Sequence, residues 1–124
     1  MNRQPRSRWS LKPVAATLEC RAGNRVRFLV EATNWGPHPA EIHLEAEAAW
    51  GAAVTPDRIL LGSGHVRFVA VRVEVPAWAS LGEREGVHLR IHGAKRPVGC
   101  DLEVVVSGDA HEVLAAPRLA ARAA

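Results

Sequence analysis

His43, His88 and His92 are the residues of this sequence best suited to holding a ligand. Each stands in the outward phase of an alternating run, and Glu41, Glu45, Arg90, Asp101 and Glu103 occupy matching outward phases. Neutral imidazole and carboxylate are both ligands for Zn2+ or Cu2+. The spacing weakens the case, because residues four apart on a strand stand about 13 Å apart. His43 can therefore join only one of His88 and His92. A solvent-facing polar sheet with pairs such as Glu45–Arg90 is the plainer reading. Metal binding ranks last among the functions considered, and no cofactor is implied.

A second set is cationic. Arg25, Arg27 and Arg72 fall in the outward phase of two other runs, and Arg3, Arg6, Arg8 and Lys12 crowd the N-terminal segment. Such a face would steer docking onto an acidic protein or let copies stack in a charged array. Nucleic acid fits less well: no aromatics interleave with these cations, and Glu31 and Glu74 dilute them. Trp35 and Trp78 lie in breaker-rich loops, where an exposed ring anchors a protein partner or a sugar. Trp9 lies in the basic arm and joins the candidate partner-binding residues, while Trp50 is expected to cap the core.

Catalysis finds little support. Ser10, Ser63, Ser80 and Ser107 are turn or strand-end residues outside any nucleophile elbow. Cys20 and Cys100 fall on apolar phases and read as small buried hydrophobes, though their spacing alone leaves a bridge open. Gly62-Ser63-Gly64 precedes a strand and so cannot form a phosphate loop at a helix start. An enzyme is not expected.

The elements that must position these residues are short strands. Residues 69–75 alternate Val with Ala70, Arg72 and Glu74, opened by Gly62-Ser63-Gly64 and closed by Pro76. The apolar phase slips between Phe68 and Val69, which predicts a bulge near Phe68. Further strands are expected over 14–20, 25–34, 40–48, 58–61, 86–92 and 100–106, with an irregular crossing over 50–56. Trp is used four times, Phe twice and Tyr not at all; slim Val and Ala side chains suit sheet-on-sheet packing. About seven strands with turns every eight to twelve residues predict an all-β, immunoglobulin-like antiparallel β-sandwich. The expected division is a flexible basic arm over 1–12, the sandwich over 13–107, and an Ala/Arg-rich tail over 108–124.

The order of several motifs resembles a family. Gly23-x-x-Val26-x-Phe28-x-Val30, the Asn34-Trp35-Gly36 turn, Ala49-Trp50-Gly51, the 62–76 strand and Leu81-Gly82 follow one another over roughly residues 14–106. They are similar to those of bacterial immunoglobulin-like accessory domains, of the cell-adhesion-related and α-galactosidase-associated type. The resemblance implies a sandwich without catalytic residues and a carbohydrate-binding or adhesion role.

The net charge of +3 is modest. No segment is long and apolar enough to span a membrane as a helix. The polar, Arg-rich N-terminus is unlike a secretory signal, so a cytoplasmic location or a place within a protein assembly is expected. The reading is therefore a non-catalytic protein-interaction module, a small structural or accessory subunit of a larger assembly. A carbohydrate-binding or adhesion module is the alternative.

Overall fold

The computed structural model describes residues 8–92 and 98–108. Arg3 and Arg6, residues 93–97 and the tail from 109 lie outside them. Among the described residues there are nine strands and no helix: β1 (Trp9–Pro13), β2 (Thr17–Arg21), β3 (Arg25–Asn34), β4 (Ala40–Ala48), β5 (Ala52–Thr55), β6 (Arg58–Leu61), β7 (Val66–Glu74), β8 (Arg84–Ile91) and β9 (Gly99–Ser107). They form two sheets, β1-β3-β7-β5 and β2-β9-β8-β4-β6. Every pairing is antiparallel except β2 with β9. The chain is an all-β sandwich, as its alternation predicts.

Alternation builds the core directly. Phe28, Val30 and Ala32 of β3 and Val69, Val71 and Val73 of β7 face Leu44, Val87, Leu89, Leu102 and Val104 of the other sheet, all essentially shut off from solvent. Slim β-branched residues let the two sheets approach to the usual separation of about 10 Å. Two glycines serve geometry here. Gly51 takes φ +89 in the turn from β4 to β5, where its N–H bonds to the Ala48 carbonyl at 2.9 Å. At Gly99, an added Cβ would meet the Leu89 carbonyl oxygen at 2.5 Å, so only glycine lets β9 lie this close to β8.

Two strands differ from expectation for one reason. A single run of chain serves first one sheet and then the other. Trp9–Pro13, expected within the flexible arm, pairs with β3; the chain then crosses and Thr17–Arg21 pairs with β9. At the opposite edge Ala52–Thr55, expected to be an irregular crossing, pairs with β7, and Arg58–Leu61 then pairs with β4. A run of four or five residues is too short to show a clear period, and a switch of sheet resets its phase. Val14, expected to open a strand over 14–20, instead lies in the crossing, exposed beside Leu29, whose carbonyl accepts its N–H at 2.9 Å.

The bulge expected near Phe68 is absent. Register runs one to one from Arg25↔Glu74 to Thr33↔Val66. The apolar phase slips because Val66 and Phe68 lie on the outer face, 47% and 51% exposed. The two cysteines are free. Cys20 pairs with Val106, six positions along β9 from Cys100, a separation of roughly 20 Å that excludes a bridge.

Candidate functional site

The outer face of the four-stranded sheet carries the most unusual surface among the described residues. Its register sets side chains in rows across β1, β3, β7 and β5. Val14, Leu29, Ala70 and Thr55 form one row; Lys12, Glu31 and Phe68 the next; Ser10, Thr33 and Val66 the third. On the other side of the Leu29 row stand Arg27, Arg72 and Ala53, and then Arg25 with Glu74. Leu29, Val66 and Phe68 thus make an exposed apolar strip on this face, while Thr33 in the third row is buried. An ordinary outer face carries polar residues in these phases.

Trp35 stands at the corner of this strip, and Asn34 fixes it there. The Asn34 side chain is 1% exposed. Its amide donates to the carbonyls of His38 at 3.0 Å and Leu61 at 2.9 Å, and its oxygen accepts the Gly36 N–H at 2.9 Å. Its backbone bonds to the 62–65 turn through His65 O and Gly64 N. The loop held this way sets the Trp35 indole N–H on the Ser10 hydroxyl at 2.9 Å, with its ring 65% exposed.

Beside the strip, Arg27 and Arg72 occupy directly opposed positions on neighbouring strands. Like charges so placed repel one another. Among the described residues none of the ion pairs lies on this face. The guanidinium groups are therefore open to an anion supplied from outside.

The five-stranded sheet presents a contrasting outer face. Arg90 bonds both Glu45 and Glu47 at 3.1 Å, Arg84 bonds Glu103 at 2.8 Å, and His88 Nδ1 meets Asp101 at 2.7 Å. His92 contacts Glu45, and His43 Nε2 stands 3.7 Å from Asp57. Partial burial acts to raise the Glu45 carboxyl, but the Arg90 hydrogen bond and then His92 hold it below the usual carboxylate range. Of the three histidines considered as metal ligands, His43 and His92 face one another with ring centres 5.5 Å apart. His88 is separate, bonded to Asp101. Among the described residues no group of three or more His, Cys, Asp or Glu is arranged to hold a metal ion. Burial raises the Cys20 thiol, and burial with the neighbouring Asp101 pushes Cys100 up to about 11, far from the range of an activated nucleophile.

The tryptophans divide. Trp9 points to the inner side of β1 and packs, half-buried, against the core. Its expected place in a free arm is corrected by the strand that begins there. Trp50 packs against the core and borders a shallow cleft of about 690 Å³ with Arg25 and Glu74. Trp35 precedes β7 in space and Trp78 follows it, at opposite ends of a nine-residue strand and roughly 25 Å apart along it. They form no common platform for a sugar. Arg25, Arg27 and Arg72 share the four-stranded face. Leu29 beside them follows the outward phase of Arg27 and Glu31, whereas Val66 and Phe68 were not legible as surface from the pattern alone. Their signal was the unexplained phase slip before Val69.

No protein-family model matches the chain, and no curated protein matches its sequence. Its fold, however, recurs among solved structures. The ASH/PapD-like domain 7 of human CEP192 superposes with a TM-score of 0.55 at 14% identity, over 88% of this chain and 90% of that one. A family 123 glycoside hydrolase from Clostridium perfringens gives 0.63 at 6% identity, over 81% of this chain but 27% of the hydrolase. The CsuC–CsuE chaperone–tip adhesion subunit complex of Acinetobacter baumannii gives 0.55 at 11% identity, over 82% and 57%. At these identities the likeness is one of architecture alone: an immunoglobulin-like β-sandwich.

Proposed function

We propose that this chain is a non-catalytic protein-interaction module, a small structural or accessory subunit of a larger assembly. It docks through the outer face of its four-stranded sheet. The observation that carries this reading is the strip of Leu29, Val66 and Phe68, bordered by the mutually repelling Arg27 and Arg72. An apolar strip left in water favours burial, and two opposed guanidinium groups favour a carboxylate between them. A protein surface that joins apolar and acidic side chains satisfies both. The accessory-domain type suggested by the 23–30 and 62–76 motifs fits the same role, because such a domain supplies docking and leaves chemistry to other chains.

A photo-activatable residue at position 68, introduced in the native host, tests this reading. The expected result is a discrete protein adduct that disappears when Arg27 and Arg72 are both changed to Glu, and that a probe at Glu103 does not give. No adduct at position 68, or equal adducts from both faces, would contradict it.

A further inference from the structure

Building on the docking reading of the four-stranded face, we propose that one partner it fits is a second copy of this chain. The two copies stack face to face with their β3 strands antiparallel. Packed sheets lie about 10 Å apart with strand directions within roughly 30°. Identical faces meet through a two-fold axis in the plane between them, and two orientations of that axis are available. An axis along β3 would set Arg27 on the second copy's Arg27 and Arg25 on its Arg25, which like-charge repulsion opposes. An axis along the row of Val14, Leu29 and Ala70 removes every such clash.

With that axis, each β3 position meets its mirror about Leu29. Leu29 meets Leu29, Arg27 meets Glu31, and Glu31 meets Arg27 of the second copy. On β7 the mirror is Ala70, so Arg72 lies over the second copy's Phe68 and Phe68 under its Arg72. A guanidinium over an aromatic face is favourable, more so once water leaves. Arg25 falls opposite Thr33 and Val66 opposite Glu74 at the rim. The two arginines that repel one another within a single copy thus each gain an attractive contact across the interface. Three strands of this length make a platform of roughly 15 by 25 Å. Counted over both copies that is roughly 750 Å², below the span of stable specific interfaces, so the expected dimer is weak and transient.

Sedimentation velocity on the full chain over roughly 1–500 µM tests the proposal. The wild type is expected to shift from monomer to dimer. Arg27→Glu and Glu31→Arg are each expected to weaken the dimer by about tenfold or more, since the symmetry removes two contacts at once. The double variant Arg27→Glu/Glu31→Arg restores opposite charges across the axis and is expected to recover most of the affinity. Glu103→Arg on the other face leaves it unchanged. Residues 27 and 31 sit four apart on one strand, about 13 Å, so recovery by the double variant cannot arise within one copy. A chain monomeric throughout the range, or a dimer indifferent to these charges, overturns the proposal. If the position-68 adduct with another protein persists in that case, only the second-copy inference falls. If the adduct is absent too, the docking reading falls with it.

Discussion

The two outer faces of this sandwich are built from strands of the same length and period, yet they meet water in different ways. On the five-stranded sheet Arg90, Arg84, His88, His92 and His43 each lie against a carboxylate, and Glu45 is shared between Arg90 and His92. On the four-stranded sheet Leu29, Val66 and Phe68 stand exposed and Arg27 opposes Arg72. The first surface pairs its charges internally and keeps Leu60 as an exposed apolar side chain. The second gains favourable contacts only when something covers it. Exposure alone does not separate them, since both faces carry exposed residues throughout. What separates them is that the ion pairs of the described residues gather on the five-stranded side.

The largest expected effect concerns the corner where Trp35 joins the apolar strip. Asn34→Ala leaves the buried carbonyl of Leu61 and the N–H of Gly36 without their bonds and should cost about 2–4 kcal/mol in denaturant unfolding. Asn34→Asp should cost more, because it sets a buried carboxylate against the His38 and Leu61 carbonyls. If either variant unfolds like the wild type, the loop is not held as described.

Substitutions on the faces should be smaller and opposite in sign. Arg90→Ala removes two ion pairs and should destabilise by about 0.5–1 kcal/mol. Arg72→Ala removes a repulsion and should be neutral or stabilising by a few tenths, roughly 0.3 kcal/mol. Phe68→Ser should likewise leave the isolated chain within about 0.5 kcal/mol of wild type. Equal losses from Arg72→Ala and Arg90→Ala would erase the contrast between the faces.

Titration sharpens the contrast further. The Glu45 carboxyl is held low in the folded chain. The stability it contributes is present above its unfolded pKa and is lost as pH falls through the folded one. Glu45→Gln should therefore flatten the acid limb of the stability profile below about pH 4.5. Cys100 runs the other way. With its thiol raised from 9.0 to about 11, its stability contribution is intact below pH 9.0 and fades as pH rises toward 11. Alkylation of the native chain near neutral pH should be slow and should accelerate sharply on unfolding.

Much of this architecture was legible in the sequence because alternation is a strong signal wherever a strand has one buried face. The runs of Phe28, Val30 and Ala32 and of Val69 to Val75 give the two central strands of the four-stranded sheet without ambiguity. The edges were harder. Trp9–Pro13 and Ala52–Thr55 are short, and the chain changes sheets directly after each, so neither shows a sustained period. The candidate site was legible only in part. Arg25, Arg27 and Arg72 announce an outward phase by their charge. Val66 and Phe68 do not, since an apolar residue in the wrong phase reads as readily as a bulge. Only the unbroken register against β3 shows that they face outward.

The central claim is that the four-stranded face is covered when the protein works and the five-stranded face is not. Hydroxyl-radical footprinting compares the two directly, on the dilute chain and on the protein in its native assembly. The account predicts that Phe68 and Trp35 lose most of their oxidation in the assembly while Leu60 and His88 keep theirs. Phe68 as reactive in the assembly as in the dilute chain would contradict it.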